Sequence, residues 1–168
     1  MRFTVSRELA RNKFFCGLLL LFFVQCLLFL FLNIVFEKDK WGLSPAEITT
    51  KIHGDEAEYI QAMEISDIVT HVHIELFLYP FLLVMCFLVY FHSEHLQQRR
   101  IVLAVLTFTF CMLNSISPFL VIAKNYFSIV KVLSFWGLTM LTMTVIVANI
   151  VYLAKILYGS SCEKNKNT

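Results

Sequence analysis

Long apolar runs separated by short polar segments dominate the chain. The apolar runs occupy residues 14–36, 69–91, 101–123 and 132–158. At about 1.5 Å of rise per residue, the first run makes a helix of about 34 Å, which exceeds the roughly 30 Å hydrocarbon core of a bilayer. Each of the other three runs is long enough by the same measure. The pattern predicts an all-α membrane four-helix bundle that forms a single membrane domain over residues 1–168.

The composition agrees with helices that face lipid. Of the 168 residues, 58% are apolar and 15% are charged, whereas a soluble domain has about 45–50% and about 25%. The net charge is only +2, and no basic block is large enough to bind nucleic acid. We therefore expect a lipid bilayer, and no nucleic acid, as the principal partner.

The connections and the basic residues predict the path of the chain. Short connections between spans favour antiparallel neighbours in up-down-up-down order. Nine of the fourteen lysines and arginines lie on one side if the N-terminus is inside, and such an excess marks the cytoplasmic side. The inner nine are Arg2, Arg7, Arg11, Lys13, Arg99, Arg100, Lys155, Lys164 and Lys166; the outer five are Lys38, Lys40, Lys51, Lys124 and Lys131. We expect a multi-pass inner (plasma) membrane protein with both termini cytoplasmic.

The connection between the first two spans, residues 37–68, is an acidic loop that is expected in the periplasm. Ser44, followed by Pro45 and by Glu47, has the spacing of a helix N-cap with proline at the first helical position. Gly54 can end this short helix. The sequence thus predicts one short helix in the outer loop.

A second capping pattern follows, because Asp55 and Glu58 repeat the same spacing. Nothing between Glu56 and Leu78 breaks a helix. We therefore expect one helix from Glu56 to Phe91, about 54 Å long, so that the second helix extends into the periplasm.

Ionisable side chains concentrate at the start of the second span. Glu64, Asp67, His71 and Glu75 share one helical stripe, whereas His73 points nearly the opposite way. Imidazole and carboxylate groups at this spacing can bind a divalent metal or relay a proton. We treat His71, Glu75, Asp67 and His73 as candidate metal ligands. The alternative is a solvated helix end, although Glu75 lies inside the apolar run and there requires a partner.

Haem b is a second possible cofactor, because small membrane bundles bind it between histidines on facing helices. The other three spans contain no histidine. A haem with two histidine ligands would therefore require His53, a second protomer or a partner protein.

The third span carries a polar patch in the middle of the membrane, formed by Asn114, Ser115 and Ser117. Pro118 deprives the Asn114 carbonyl of its helical donor and bends the helix. The patch is either a packing kink with hydrogen bonds between helices or a binding site for a substrate or an ion.

The stretch Thr70-His71-Val72-His73, followed by Leu76-Phe77, resembles a group of small uncharacterised four-span bacterial inner-membrane proteins in which a Thr-His-x-His element opens the second span. The resemblance covers residues 40–125. It implies the membrane architecture and draws attention to His71 and His73, and it implies no activity.

The motifs favour a function without catalysis. No phosphate-binding loop, nucleophile elbow or metalloprotease helix is present. We expect a subunit or accessory factor of a membrane complex, acting as a homo-oligomer or with a partner membrane protein. Two alternatives remain open: a metal- or haem-linked redox protein that uses the His71/Glu75 stripe, and an oligomeric small transporter with Glu75 as its coupling carboxylate.

Overall fold

Helices make up almost all of the chain that the computed structural model describes, which is residues 13–56, 59–92 and 97–164. In chain order they are α1 (Lys13–Lys40), α2 (Pro45–His53), α3 (Ile65–His92), α4 (Gln97–Ala123), a 3-10 turn (Asn125–Phe127) and α5 (Ser128–Lys164). Four of them, α1, α3, α4 and α5, are long and apolar enough to cross a membrane. The predicted all-α membrane four-helix bundle is confirmed, and each predicted apolar run lies within one of these helices.

α5 is the central helix of the bundle. It packs against α4 most extensively and also against α1 and α3, while α3 packs against α4. The close approach of α4 and α5 depends on Gly137, since a Cβ atom there would come within 2.6 Å of the Phe110 ring. The apolar core between the helices includes Phe23, Leu83 and Val145.

α2 forms as the capping pattern predicts. The Ser44 hydroxyl accepts a hydrogen bond from the Glu47 amide at 3.2 Å, Pro45 is the first helical residue and Gly54 ends the helix with φ 79°. The Glu47 carboxylate in turn accepts a hydrogen bond from the Leu43 amide at 2.9 Å. That hydrogen bond lowers the pKa of Glu47 below its usual range.

The short helix α2 covers one end of the bundle. A second apolar cluster joins it to the ends of the long helices and contains Trp41, Ile48, Ile52, Ile68 and Val121. The Lys51 ammonium donates to the carbonyls of Lys38 and Asp39 at the end of α1. The His53 ring nitrogen Nε2 lies 3.2 Å from the carbonyl oxygen of Val121. These contacts fix α2 over the ends of α1 and α4.

The expectation of one helix from Glu56 to Phe91 is wrong, because α3 begins only at Ile65. Asp55 and Ile60 instead exchange two backbone hydrogen bonds of 2.9 Å, which closes a tight turn. Tyr59 adopts a positive φ of 56° in that turn, which a helix does not allow. The predicted cap residue Glu58 lies outside the described residues, as do Arg2, Arg7, Arg11 and Lys166.

Candidate functional site

A chain of buried polar side chains crosses the bundle near the end that α2 covers. Each of the four long helices contributes: Glu37 from α1, His71 and Glu75 from α3, Asn114 from α4 and Lys131 from α5. All five residues are buried, with between 0% and 7% of each residue's surface exposed. We call these five residues the polar cluster.

The contacts run continuously from α1 to α3. Lys131 Nζ lies 2.7 Å from Glu37 Oε1 and donates to Asn114 Oδ1 at 3.1 Å. Asn114 Nδ2 donates to Glu75 Oε2 at 3.5 Å, and Glu75 Oε1 lies 3.1 Å from His71 Nε2. Lys131 thus pairs with Glu37, and His71 lies beside Glu75, which reduces the cost of burying the two carboxylates.

Aromatic rings surround the charged groups. The His71 ring stacks on Phe36 with their centroids 5.4 Å apart, and it lies at the same distance from the Trp41 ring. The Lys131 ammonium lies 5.3 Å from the centroid of the Trp41 ring, within the range of a cation–π interaction. Contacts with both rings restrict the orientation of the imidazole.

Several polar atoms of the cluster lack an aligned hydrogen bond. Glu37 Oε2 is buried without a donor among the described residues, and His71 Nε2 makes no aligned hydrogen bond although it is close to Glu75 Oε1. Buried polar atoms in native proteins are nearly always satisfied, so such atoms indicate a missing partner. Here they belong to an imidazole and a carboxylate, which are both metal-ligating groups.

Glu37, His71 and Glu75 are grouped closely enough to hold one metal ion after a local contraction. One ligand atom from each lies within 4.8 Å of the other two. In a tetrahedral zinc site with ligands about 2.1 Å from the ion, neighbouring ligand atoms are about 3.4 Å apart, so the group must contract by up to about 1.4 Å. His71 and Glu75 are one turn apart on α3, which positions two of the three groups on a rigid element.

Only two of the four residues that the sequence suggested as metal ligands lie in the buried site. His71 and Glu75 enter the polar cluster, whereas Asp67 and His73 are exposed. Asp67 lies in the first turn of α3, on its exposed face. Among the described histidine side chains, His53, His71 and His73, only His71 is buried.

The three polar residues predicted as a patch on α4 have different roles in the structure. The Asn114 side chain joins the polar cluster, but the two serines bind backbone of their own helix. The Ser117 hydroxyl donates at 2.7 Å to the Asn114 carbonyl, which Pro118 leaves without its helical donor. Ser115 donates to the Cys111 carbonyl at 3.1 Å.

Sequence reasoning did not select Glu37 or Lys131. Both stand at the edge of an apolar run, where a charge is ordinary at a membrane surface. The sequence nevertheless contained a clue to both residues. In the predicted up-down topology, the end of the first span and the starts of the second and fourth spans all lie at the same membrane surface. Three ionisable groups at neighbouring helix ends can meet if the helices are in contact.

A groove between α1 and α3 leads to the polar cluster. Its volume is about 510 Å³. Apolar side chains that include Phe29, Leu32 and Leu78 form most of the wall, and its polar residues are Asn33, Asp39, His71, Glu75 and Tyr79. Leu32 and Leu78 are exposed on the outer surface of the bundle, so the groove is accessible from the lipid side.

Comparison with known proteins gives one result. A family model described as a transmembrane helical domain matches residues 42–160. The matched region contains four of the five residues of the polar cluster and begins after Glu37. No curated protein and no solved structure matches the chain.

Proposed function

We propose that this integral membrane protein, which belongs to a family of transmembrane helical domains, binds a divalent cation within its bundle. Glu37, His71 and Glu75 are the proposed ligands. The observation that carries the proposal is their convergence from two helices in a buried position, with ligand atoms no more than 4.8 Å apart.

The donor set favours a transition metal or zinc. Imidazole with carboxylate suits zinc, iron(II) and manganese, whereas calcium takes six to eight oxygen ligands. Three protein ligands leave an open coordination position for water or a further ligand. A haem with two histidine ligands is not favoured, since His71 is the one buried histidine among those whose side chains the structure describes.

The Lys131 ammonium competes with a metal ion for the Glu37 carboxylate. Its ammonium lies 2.7 Å from Glu37 Oε1, so a metal would bind through Oε2, which has no donor in the described structure. With two carboxylates and one ammonium, the cluster has a net negative charge when His71 is neutral. A divalent cation compensates that charge.

Three predictions from sequence complete the proposal. The acidic connection and α2 are on the periplasmic side of the inner membrane, so the metal site lies near the outer surface. The Thr-His-x-His element at Thr70 opens the second span and supplies His71. The protein acts as an accessory factor with a second copy or a partner membrane protein, since its sequence contains no recognisable catalytic motif.

The decisive experiment is metal analysis of the purified protein. Protein extracted without chelator is dialysed against Zn²⁺ or Mn²⁺, and the bound metal is measured by mass spectrometry. We expect about one ion per chain. Glu37→Gln, His71→Asn and Glu75→Gln should each weaken binding at least tenfold, because each removes one of only three ligands.

Matched controls are available on α3. Asp67→Asn and His73→Asn change ionisable groups on the same helix that are exposed, and both variants should bind metal like the wild type. Circular dichroism and the thermal unfolding midpoint establish that each variant is folded. Equal losses in the control and ligand variants, or a wild type that retains no metal, would contradict the proposal.

A further inference from the structure

The groove between α1 and α3 has the chemistry of a site for an amphipathic molecule. It runs from Phe29 to Asp39 along α1, which corresponds to about 15 Å at the helical rise. Its volume of about 510 Å³ is within the range of small-molecule sites, roughly 300–1,000 Å³. Such a shape suits an extended apolar chain with one polar end.

The acidic groups that line the groove are Asp39 at its outer end and Glu75 on its inner wall, and no lysine or arginine lines it. His71 also lines the groove and contacts Glu75 at 3.1 Å, so the groove is negatively charged when His71 is neutral. Glu75 is 95% buried and faces the groove and the polar cluster together. A carboxylate in these low-dielectric surroundings attracts a cation more strongly than it would in water.

The other polar and aromatic groups also suit a cation. Asn33 and Tyr79 line the groove from α1 and α3, and the Asn33 side-chain oxygen can accept a hydrogen bond from an ammonium group. Phe29 and Phe36 also line the groove, and aromatic rings attract an ammonium group. A phosphate-bearing headgroup is disfavoured, since two carboxylates would repel it.

We propose that this groove binds a cationic amphiphile: a single alkyl chain that ends in a primary ammonium group. The chain enters from the lipid between Leu32 and Leu78, and the ammonium group lies beside Glu75. The inference goes beyond the cation site. Both sites use Glu75, so a metal ion and an ammonium group would compete for its carboxylate, and the groove is tested on metal-free protein.

The test uses three probes with the same chain length. Dodecylammonium, dodecanol and dodecanoate are titrated into the protein in uncharged maltoside micelles, and binding is measured by calorimetry and native mass spectrometry. We expect dodecylammonium to bind at least tenfold more tightly than dodecanol, and dodecanoate to bind most weakly. Equal affinities for all three probes would overturn the proposal, because charge would then contribute nothing.

Two tryptophan substitutions on α1 locate the site. Leu32→Trp fills the groove and should weaken dodecylammonium binding at least tenfold, whereas Leu28→Trp should not change it. Both leucines are exposed, at 56% and 59%, so neither change disturbs the core, and Leu28 does not line the groove. The same affinity in both variants would overturn the assignment of the site.

Measuring zinc binding alongside dodecylammonium binding distinguishes failure of the cation site from failure of the groove site. Leu32→Trp leaves Glu37, His71 and Glu75 intact and should retain zinc. If zinc binding fails in the wild type while dodecylammonium binding depends on Leu32, the cation site is wrong and the groove site stands. If the Leu32 variant binds dodecylammonium normally, the groove proposal fails whatever the metal result.

Discussion

Lys131 on α5 and Glu37 on α1 form an ion pair with 2.7 Å between Nζ and Oε1, and only 1% and 2% of their side chains are exposed. Two helices distant in sequence are joined by this pair at the covered end of the bundle. Burying two charges carries a large desolvation cost, which the attraction and the further hydrogen bond to Asn114 offset. The pair is therefore sensitive to loss of either partner.

Replacing Lys131 by Met should destabilise the protein by about 3–5 kcal/mol, because it leaves Glu37 buried without its cation. The thermal unfolding midpoint in detergent measures the change. Zn²⁺ should raise that midpoint more in this variant than in the wild type, since the competing ammonium is gone.

The double variant Lys131→Met with Glu37→Gln is the matched control for that prediction. It removes both charges and should recover part of the lost stability, because no unpaired carboxylate remains. A single Lys131→Met variant as stable as the wild type would show that the pair does not stabilise the bundle.

Gly137→Ala should weaken the packing of α4 against α5. The added Cβ would lie 2.6 Å from the Phe110 ring, so the ring or the helix must move. We expect a loss of about 1–3 kcal/mol, typical of overpacked positions. Gly17→Ala is the control, since nothing lies within 4 Å of a Cβ atom there. Thermal unfolding that is equally unaffected in both variants would contradict this close approach.

The stability of α2 should depend on pH through Glu47. Because the Leu43 amide lowers the pKa of Glu47 in the folded protein, the carboxylate stabilises α2 at pH values above its unfolded pKa of about 4.3. This stabilisation is lost as the pH falls through the lower folded pKa.

Hydrogen exchange of the α2 amides measures this effect. Glu47→Gln should exchange faster than the wild type at pH 7, and the difference should disappear below the folded pKa. Glu56→Gln removes an exposed carboxylate from the same connection and should show no such difference. A gap between Glu47→Gln and wild type that persists in acid would contradict the role of the charge.

The predicted orientation can be tested by thiol labelling in spheroplasts. A cysteine introduced at Gln61, in the connection between α2 and α3, should react with a membrane-impermeant reagent in a cysteine-free background. Cys162 as the sole cysteine should react only after permeabilisation. The opposite pattern would invert the orientation and place the metal site on the cytoplasmic side.

The four membrane helices were predictable from sequence, because each depends on a local property. An apolar run of more than about 20 residues has to satisfy its own backbone in lipid and therefore becomes a helix. The cap of α2 was predictable for the same reason, since Ser44, Pro45 and Glu47 act within one turn. The expected helix start at Glu56 failed because pairing between Asp55 and Ile60 competes with helix formation.

Only some residues of the candidate site could be predicted from the sequence. His71 and Glu75 lie one turn apart on one helix, so their spacing alone predicts that they meet. Glu37 and Lys131 lie on helices separated from them by long stretches of chain, and their periodicity carries no information about which faces pack together.

The sequence by itself thus determined the four membrane helices and the pairing of His71 with Glu75 on α3, because these follow from hydrophobicity and from spacing within one element. Only the tertiary structure decided that Glu37, Asn114 and Lys131 converge on that pair, while Asp67 and His73 remain exposed. The physical reason is that packing selects one rotation of each helix about its axis. That rotation is set by contacts with all its neighbours at once.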